Sequence, residues 1–121
     1  MTSVVTKRVY DPPETADGLR MLADRLWPRG LAKATAQVEL WAKEITPSTA
    51  LRQSYHAGEI GWAEFAERYR AEIATNPSWP EVVAQLRPAP VVTLLSAVRD
   101  IDQSHLPILA DALRRSLASL G

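Results

Sequence analysis

Residues 91–98 have the sequence Val91-Val92-Thr93-Leu94-Leu95-Ser96-Ala97-Val98 and lie between Pro90 and a polar turn that begins at Arg99. The run is short, almost wholly apolar and rich in β-branched side chains, which is typical of a strand covered on both faces. Burial of each large side chain contributes about 1.5–3 kcal/mol. We therefore predict that this segment is the central strand of an α/β fold.

Two further segments are candidate strands. Residues 4–11 alternate Val5 and Val9 with Lys7, as a half-buried strand does, and they stop at Pro12. Residues 19–27 are ambiguous, because their apolar positions fit one face of a helix as well as alternate positions of a strand. Periodicity alone favours a helix for this second segment.

Five segments show the apolar spacing of amphipathic helices, and we predict a helix in each of them. The apolar stripes run within residues 34–45, 51–55, 62–73, 82–86 and 106–120. Ser48 is expected to cap the second helix. Ser78 and Glu81 have the spacing of a capping box at the start of the fourth, and either Asp102 or Ser104 is expected to cap the fifth.

Length and composition exclude several classes of protein. A chain of 121 residues with 46% hydrophobic residues has the size and composition of a single globular domain. No apolar run approaches the roughly 20 residues that span a bilayer, and the first residues lack a secretory pattern, so we predict a cytoplasmic protein without a membrane partner. The chain has 14 basic residues (lysine plus arginine) and 14 acidic residues (aspartate plus glutamate), so its formal net charge is zero. Any affinity for anions must therefore be local.

The chemistry of metals and cofactors is also constrained. The chain has no cysteine, which excludes disulfides, thiolate catalysis and cysteine-based zinc sites. With only two histidines we predict no metal site. The common nucleotide-binding, zincin and hydrolase motifs are absent, so the sequence identifies no cofactor.

The first cluster that could carry chemistry is Asp24-Arg25-Leu26-Trp27-Pro28-Arg29-Gly30, with Arg20 and Lys33 nearby. Arginine presents a planar fork of donors that suits a carboxylate or a phosphate, and each charge-assisted bond is worth about 1.5–3 kcal/mol. The alternative is that Asp24 pairs with one arginine while Trp27 packs in the core. For any single pair this alternative is favoured, and the density of the cluster is what indicates a site.

The second cluster is the turn between residues 96 and 105, where a buried strand ends and a helix begins. In open α/β sheets ligands bind outside the carboxyl ends of the strands, and a helix N-terminus adds free N–H groups. His105 titrates near neutral pH and is a candidate acid or base, although an exposed or capping role explains it equally well. Candidate binding residues here are Ser96, Arg99 and Asp100.

Four blocks of the sequence together resemble a known family. They are Lys-Arg-Val-Tyr-Asp-Pro-Pro at residues 7–13, the Asp24–Gly30 block, Trp-x-Lys-Glu-Ile-x-Pro-Ser-x-x-Leu-Arg at residues 41–52 and Thr-Leu-Leu-x-Ala at residues 93–97. They look like the YeaO-like branch of the family called domain of unknown function 488, over nearly the whole chain. The resemblance implies that residues 20–26 form a strand.

The fold that follows is α/β: a small, mainly parallel three-stranded sheet with about five helices packed around it. Both clusters would then lie at carboxyl ends of strands and face one pocket. The sequence departs from the family at two positions, since short-branch relatives usually carry tyrosine where Ser96 stands and asparagine where Ser104 stands, and longer relatives place cysteine nearby. These differences favour binding over covalent catalysis.

We therefore predict a site for an anionic small molecule, namely a phosphate, a nucleotide or a carboxylate, with catalysis left open. The alternatives are a nucleic-acid-binding module that stacks bases on Trp27, which zero net charge disfavours, and a protein-interaction domain with an exposed patch around Trp62 or Trp79. The predicted catalytic residues are His105 and Asp24. The predicted ligand-binding residues are Arg20, Arg25, Trp27, Arg29, Lys43, Ser48, Arg52, Ser96, Arg99 and Asp100.

Overall fold

In the computed structural model, which describes residues 2–119, a parallel sheet forms around the apolar run near the C-terminus. The strands are β1 (Ser3–Arg8), β2 (Leu19–Leu22), β3 (Leu40–Trp41) and β4 (Val91–Ser96). Their order is β1-β4-β2-β3, and every neighbouring pair is parallel. The predicted central strand is therefore confirmed.

The α/β fold class is confirmed, although the sheet has four strands and not three. The additional strand, β3, has only two residues, which pair with Met21 and Leu22. So short a strand gives no alternating pattern of its own, and it lies inside a segment with helical spacing.

The ambiguous segment is a strand, as the family resemblance implies and against its helical periodicity. Met21 and Leu22 are adjacent in β2 and are both fully buried, because one packs on each face of the sheet. A strand covered on both faces has no polar side to reveal its period. β1 and β2 end at Arg8 and Leu22, before the predicted ends, and Val5 lies on a solvent-exposed position of β1.

Five helices accompany the sheet. They are α1 (Lys33–Ala36), α2 (Thr49–His56), α3 (Trp62–Ala74), α4 (Trp79–Leu86) and α5 (Leu106–Ala118). The last four confirm the predicted helices, and the predicted contribution of Leu120 falls outside the described residues. The main core lies between these four helices and the face of the sheet that carries Met21, Val92 and Leu94.

The prediction of one helix over residues 34–45 is wrong. α1 stops after Ala36 because Gln37 adopts a left-handed backbone conformation, with φ of 50°. The chain then pairs with β2 through β3 and ends this segment in a short 3-10 helix at Lys43–Ile45. Val38 packs on one face of the sheet and Ile45 in the main core on the other, so the apparent stripe is never one surface.

The predicted caps meet different outcomes. Ser48 caps α2, because its hydroxyl oxygen accepts from the Leu51 N–H at 3.2 Å. The N-cap of α5 is His105, which makes no side-chain capping bond, so neither Asp102 nor Ser104 is the N-cap; the Ser104 hydroxyl oxygen, one residue earlier, accepts from the Leu106 N–H at 3.1 Å. The capping box at Ser78 is wrong, because the Ser78 side chain makes no capping bond and its backbone N–H donates to the Asn76 side chain.

The outer edge of β1 is partly occupied by the protein itself. Its carbonyl groups at even positions point away from β4, since Ser3 and Val9 direct their N–H groups towards that strand. Arg114 on α5 donates to the Val4 carbonyl at 2.6 Å, and the Asp11 N–H donates to the Arg8 carbonyl. Two acceptors of the edge are thus already bonded.

We expect Gly18→Ala to destabilise the fold severely. Gly18 precedes β2 with φ of 63°, and a β-carbon there would lie 2.8 Å from the Val91 β-carbon and closer still to the Val91 carbonyl oxygen. Both the backbone conformation and the clash oppose the substitution, so the free energy of unfolding should fall by more than about 2 kcal/mol.

Gly58→Ala is the matched control, because Gly58 also has positive φ but has nothing within 4 Å of the added carbon. It should cost only about 1 kcal/mol. Urea denaturation of both variants measures the difference, and equal losses would show that the contact with Val91 is unimportant.

Candidate functional site

A cavity of about 800 Å³ opens at the carboxyl ends of β2 and β4. Its volume lies in the range of about 300–1,000 Å³ that is usual for small-molecule sites. The wall consists of residues 23–29 after β2, residues 97–100 and 103–105 after β4, residues 46 and 47, Arg52, Tyr55 and His56 on α2, and Phe65 on α3. Two stretches that are far apart in sequence therefore meet at one hollow.

Four arginines line this cavity, and none of them forms an ion pair with a side chain in the described part of the chain. They are Arg25, Arg29, Arg52 and Arg99. Every ion pair among residues 2–119 involves other side chains. The wall also holds Asp24 and Asp100, so positive charge is in excess here although the chain as a whole has none. Such a local excess attracts anions.

Arg25 is held in place but is incompletely bonded. It is half-buried, and its Nη2 donates to the Pro47 carbonyl at 3.1 Å. Its Nε is the one buried side-chain nitrogen or oxygen without a hydrogen-bond partner in the described part of the chain. A buried donor without an acceptor costs about 1–3 kcal/mol, which an anion reaching this N–H would recover.

Asp24 joins the ends of two strands. Its carboxylate accepts from the Ser96 hydroxyl at 2.6 Å and from the Ala97 backbone N–H at 2.8 Å. The Asp24 carbonyl accepts from the Trp41 indole N–H at 2.7 Å. These bonds fix the point at which the chain leaves β2 beside the end of β4, and they direct the following residues into the cavity wall.

His105 is fixed at the start of α5 through one ring nitrogen. Its Nε2 donates to the Ala23 carbonyl at 2.5 Å, and Asp24 Oδ1 lies 3.7 Å from the same nitrogen. Burial lowers the pKa of His105 by more than the bond to Ala23 and the charge of Asp24 raise it, and the charge of Arg52 lowers it further. The ring is therefore neutral near pH 7, with its hydrogen on Nε2.

The loop that carries Arg25 and Arg29 is fastened by aromatic side chains. Besides the Trp41 bond, the Tyr10 hydroxyl donates to the Arg29 carbonyl at 3.1 Å and the Trp27 indole N–H donates to the Leu31 carbonyl at 2.8 Å. Trp27 and Trp41 also meet edge to face, with ring centroids 5.6 Å apart. The arginines thus project from a loop whose backbone is constrained on both sides.

Eight of the predicted site residues line the cavity. They are Asp24, Arg25, Trp27, Arg29, Arg52, Arg99, Asp100 and His105. The other four, Arg20, Lys43, Ser48 and Ser96, do not line it. Lys43 lies over the Trp41 ring, 4.9 Å from its centroid, and the Ser48 hydroxyl donates to Glu72 while capping α2. Ser96 is fully buried beside the cavity, where its hydroxyl is bonded to Asp24 and to the Val98 N–H.

Arg20 lies in a buried polar cluster on the face of the sheet that points away from the main core. It donates to Asp17 and to the Ala36 carbonyl, while Lys7 donates to the same carboxylate and the Thr93 hydroxyl donates to the Asp17 carbonyl. Burial alone would raise the pKa of Asp17, but the Glu14 N–H, Lys7 and Arg20 together lower it. The guanidinium of Arg20 is therefore engaged in packing the sheet.

Sequence reasoning missed the apolar wall of the cavity. Tyr55 and Phe65 stack with ring centroids 4.5 Å apart, and the Tyr55 hydroxyl donates to the Gln103 carbonyl at 2.6 Å. Both residues lie on helical stripes that predict the core, and they do pack there. Only the path of the chain after β4 brings residue 103 and the cavity against them, so no local signal could have distinguished these two from ordinary core residues.

Two negative findings concern the residues that the structure describes. Residues 2–119 contain no group of three or more His, Cys, Asp or Glu side chains arranged to hold a metal ion. Over the same residues, no helix has both the length and the apolar sequence needed to cross a membrane.

The fold and the cavity define the class: an α/β protein with a cationic pocket at the carboxyl edge of a parallel sheet. Residues 3–120 match the family model described as "Inactive DUF488-N3 subclade". The chain therefore belongs to the DUF488 family, which confirms the resemblance found in its sequence motifs. Comparison with solved structures gives no match.

Named relatives cover almost the whole chain. The uncharacterized protein YeaO of Escherichia coli (strain K12) is 43% identical over 112 residues, which are 93% of this chain and 97% of the relative. Uncharacterized proteins of Mycobacterium tuberculosis (strain H37Rv) and Mycobacterium bovis are each 38% identical over 112 residues, 93% of this chain and 94% of the relatives.

We expect the buried state of His105 to make stability depend on pH. Its pKa is lower in the folded chain than the ordinary value of 6.5, so the unfolded chain takes up the proton first as the pH falls. The contribution is fully present above about pH 6.5 and is lost as the pH falls towards the folded-state pKa, with a limiting slope of about 1.4 kcal/mol per pH unit.

Urea denaturation at about pH 7.5 and about pH 5.5 checks this expectation. The fall in unfolding free energy between the two conditions should be smaller in His105→Gln than in the wild type. His56→Gln, at an exposed histidine of the same cavity, keeps His105 in place and should retain a larger fall than His105→Gln does. An unchanged pH dependence in the His105 variant would contradict a buried neutral ring.

Proposed function

We propose that the protein binds a small anionic molecule, a phosphate, a nucleotide or a carboxylate, in the cavity at the ends of β2 and β4. The observation that carries the proposal is the set of four arginines in its wall without a carboxylate partner. Arginines that serve only the fold are usually paired, as Arg20 is with Asp17. An unpaired group of cations in a cavity of this size therefore supports an anion as the occupant.

The arginines divide into two kinds. Arg25 and Arg52 are half-buried in the wall, whereas Arg29 and Arg99 are exposed. Charge-assisted hydrogen bonds in a partly desolvated cavity are stronger than those at the open surface. We therefore assign direct contact with the anion to Arg25 and Arg52, and attraction of the approaching ligand to Arg29 and Arg99.

The site favours binding without catalysis. The Ser96 hydroxyl is buried and bonded on both sides, so it is not placed as a nucleophile. Both carboxylate oxygens of Asp24 accept hydrogen bonds from the end of β4, which supports a positioning role and not the predicted catalytic one. The word "inactive" in the description of the matching subclade agrees with this assignment.

No contact favours the alternative functions. Lys33 lies over the Trp27 ring, 5.5 Å from its centroid, and Trp41 meets that ring edge-on, which leaves a poor platform for stacking a nucleic-acid base. Trp62 and Trp79 are half-buried against the main core, and their indole N–H groups donate to the Ser104 carbonyl and the Ser116 hydroxyl. Neither forms the exposed patch that a protein-interaction surface would need.

The test is a comparison of two double variants that remove equal charge. Arg25→Ala/Arg52→Ala removes the half-buried arginines of the cavity, and Arg68→Ala/Arg115→Ala removes two surface arginines that pair with Glu64 and Asp111. Surface pairs contribute little to stability, so the second variant isolates the effect of net charge. Titration calorimetry with inorganic phosphate, adenosine monophosphate and benzoate gives the affinities.

We expect at least one of these anions to bind the wild type and the surface variant equally, and the cavity variant at least about tenfold more weakly, because each lost bond to a charged group is worth about 1.5–3 kcal/mol. The proposed function is wrong if no anion in the panel distinguishes the cavity variant from the surface variant.

A further inference from the structure

We infer that the anion bound in this cavity is an aromatic acid that also carries a hydrogen-bond donor, and that the donor meets Nδ1 of His105. The inference rests on the proposed function and specifies its ligand. Three features support it: the tautomer of His105, the aromatic residues Tyr55 and Phe65 in the wall of the cavity, and the arginines in the same wall.

The tautomer follows from one hydrogen bond. The Ala23 carbonyl can only accept, so the Nε2 that bonds to it must carry the hydrogen. A neutral imidazole has one hydrogen, and the lowered pKa of His105 keeps the ring neutral near pH 7. Nδ1 therefore holds a lone pair and acts as an acceptor.

This acceptor is free and faces accessible space. No residue among 2–119 donates to Nδ1 of His105. Among residues 2–119, Arg25 Nε is the one side-chain nitrogen or oxygen that is both buried and without a partner. Since Nδ1 of His105 has no partner either, it is not fully buried. Because His105 lines the cavity, we place the Nδ1 lone pair on the cavity side. A ligand that covered it without donating would leave it unsatisfied.

The aromatic part of the ligand is inferred from the wall. Tyr55 stacks on Phe65 at an interplanar angle of 19°, and both rings border the cavity. The same wall includes the largely exposed Leu26 and the buried Pro28, which lie between Arg25 and Arg29 in the chain. A flat apolar body suits a hollow with such sides, while the half-buried guanidinium groups take its charge.

Substituted benzoates separate the donor from the rest of the ligand. The probes are 3- and 4-hydroxybenzoate, the corresponding methoxybenzoates and benzoate itself, titrated calorimetrically near pH 7.5. A hydroxyl group donates and a methoxy group of the same position does not. We expect at least one hydroxybenzoate to bind about threefold to tenfold more tightly than both benzoate and its methoxy counterpart.

His105→Gln is the matched variant. Glutamine keeps an amide N–H that can reach the Ala23 carbonyl, but it places no acceptor at the position of Nδ1. We expect the ratio of hydroxybenzoate affinity to methoxybenzoate affinity to fall to about one in this variant, whatever its affinity for benzoate itself. Thermal melting of the variant checks its fold, and the wild-type series tests the requirement for a donor independently of the variant.

The outcomes distinguish the inference from the proposed function. If benzoates bind in a manner that depends on Arg25 and Arg52, but hydroxyl and methoxy forms bind equally, the inference is overturned and the proposed function stands. If a hydroxybenzoate keeps its advantage in His105→Gln, the donor does not meet Nδ1 and the inference is likewise overturned. If no anion binds at all, both are overturned.

Discussion

The carboxylate of Asp24 is the constraint on which the cavity depends. By accepting from Ser96 and Ala97 it binds the exit of β2 to the exit of β4, and through Ala23 the same turn receives the ring of His105. Parallel strands place their carboxyl ends together, but only such cross-links determine how the departing chains are spaced. Here they hold the exits of β2 and β4 together, and the residues that follow these exits line the cavity.

The arrangement of charge follows a simple division across the sheet. On one face, buried cations have carboxylate and carbonyl partners, as in the cluster of Arg20, Lys7 and Asp17. At the carboxyl edge the arginines face the cavity with no acidic partner, and Asp24 is already engaged by hydrogen-bond donors. Like charges held near one another are unfavourable unless solvent or a bound anion screens them.

Much of the fold could be predicted from the sequence where one physical signal dominated. The apolar run of β4 and the stripe of α3 were unambiguous, because full burial and helical period each left a clear pattern. β2 required the family resemblance, since burial on both faces erases alternation. The helix predicted over residues 34–45 was wrong, because apolar residues that pack on opposite faces of the sheet happen to have helical spacing in the sequence.

The candidate site divides along similar lines. The position of Arg25, Arg29 and His105 at strand exits was predictable, because charged or titratable side chains there are conspicuous in a sequence, and all three line the cavity. The role of Arg20 was not, since its partner Asp17 and the carbonyl of Ala36 meet it only in the folded chain. Tyr55 and Phe65 border the cavity while also packing in the core, and a sequence records only the second fact.

The bond from Arg114 to the Val4 carbonyl has a consequence beyond the cavity. A β-strand at the edge of a sheet exposes unpaired N–H and C=O groups, with which a strand of a second molecule can pair. Proteins commonly protect such edges against aggregation. Here the guanidinium of Arg114 on α5 covers one carbonyl of the edge strand β1, and no proline lies within that strand. The helix that follows His105 thus also occupies, on the far side of the protein, an acceptor that a strand from another molecule would need for pairing with β1.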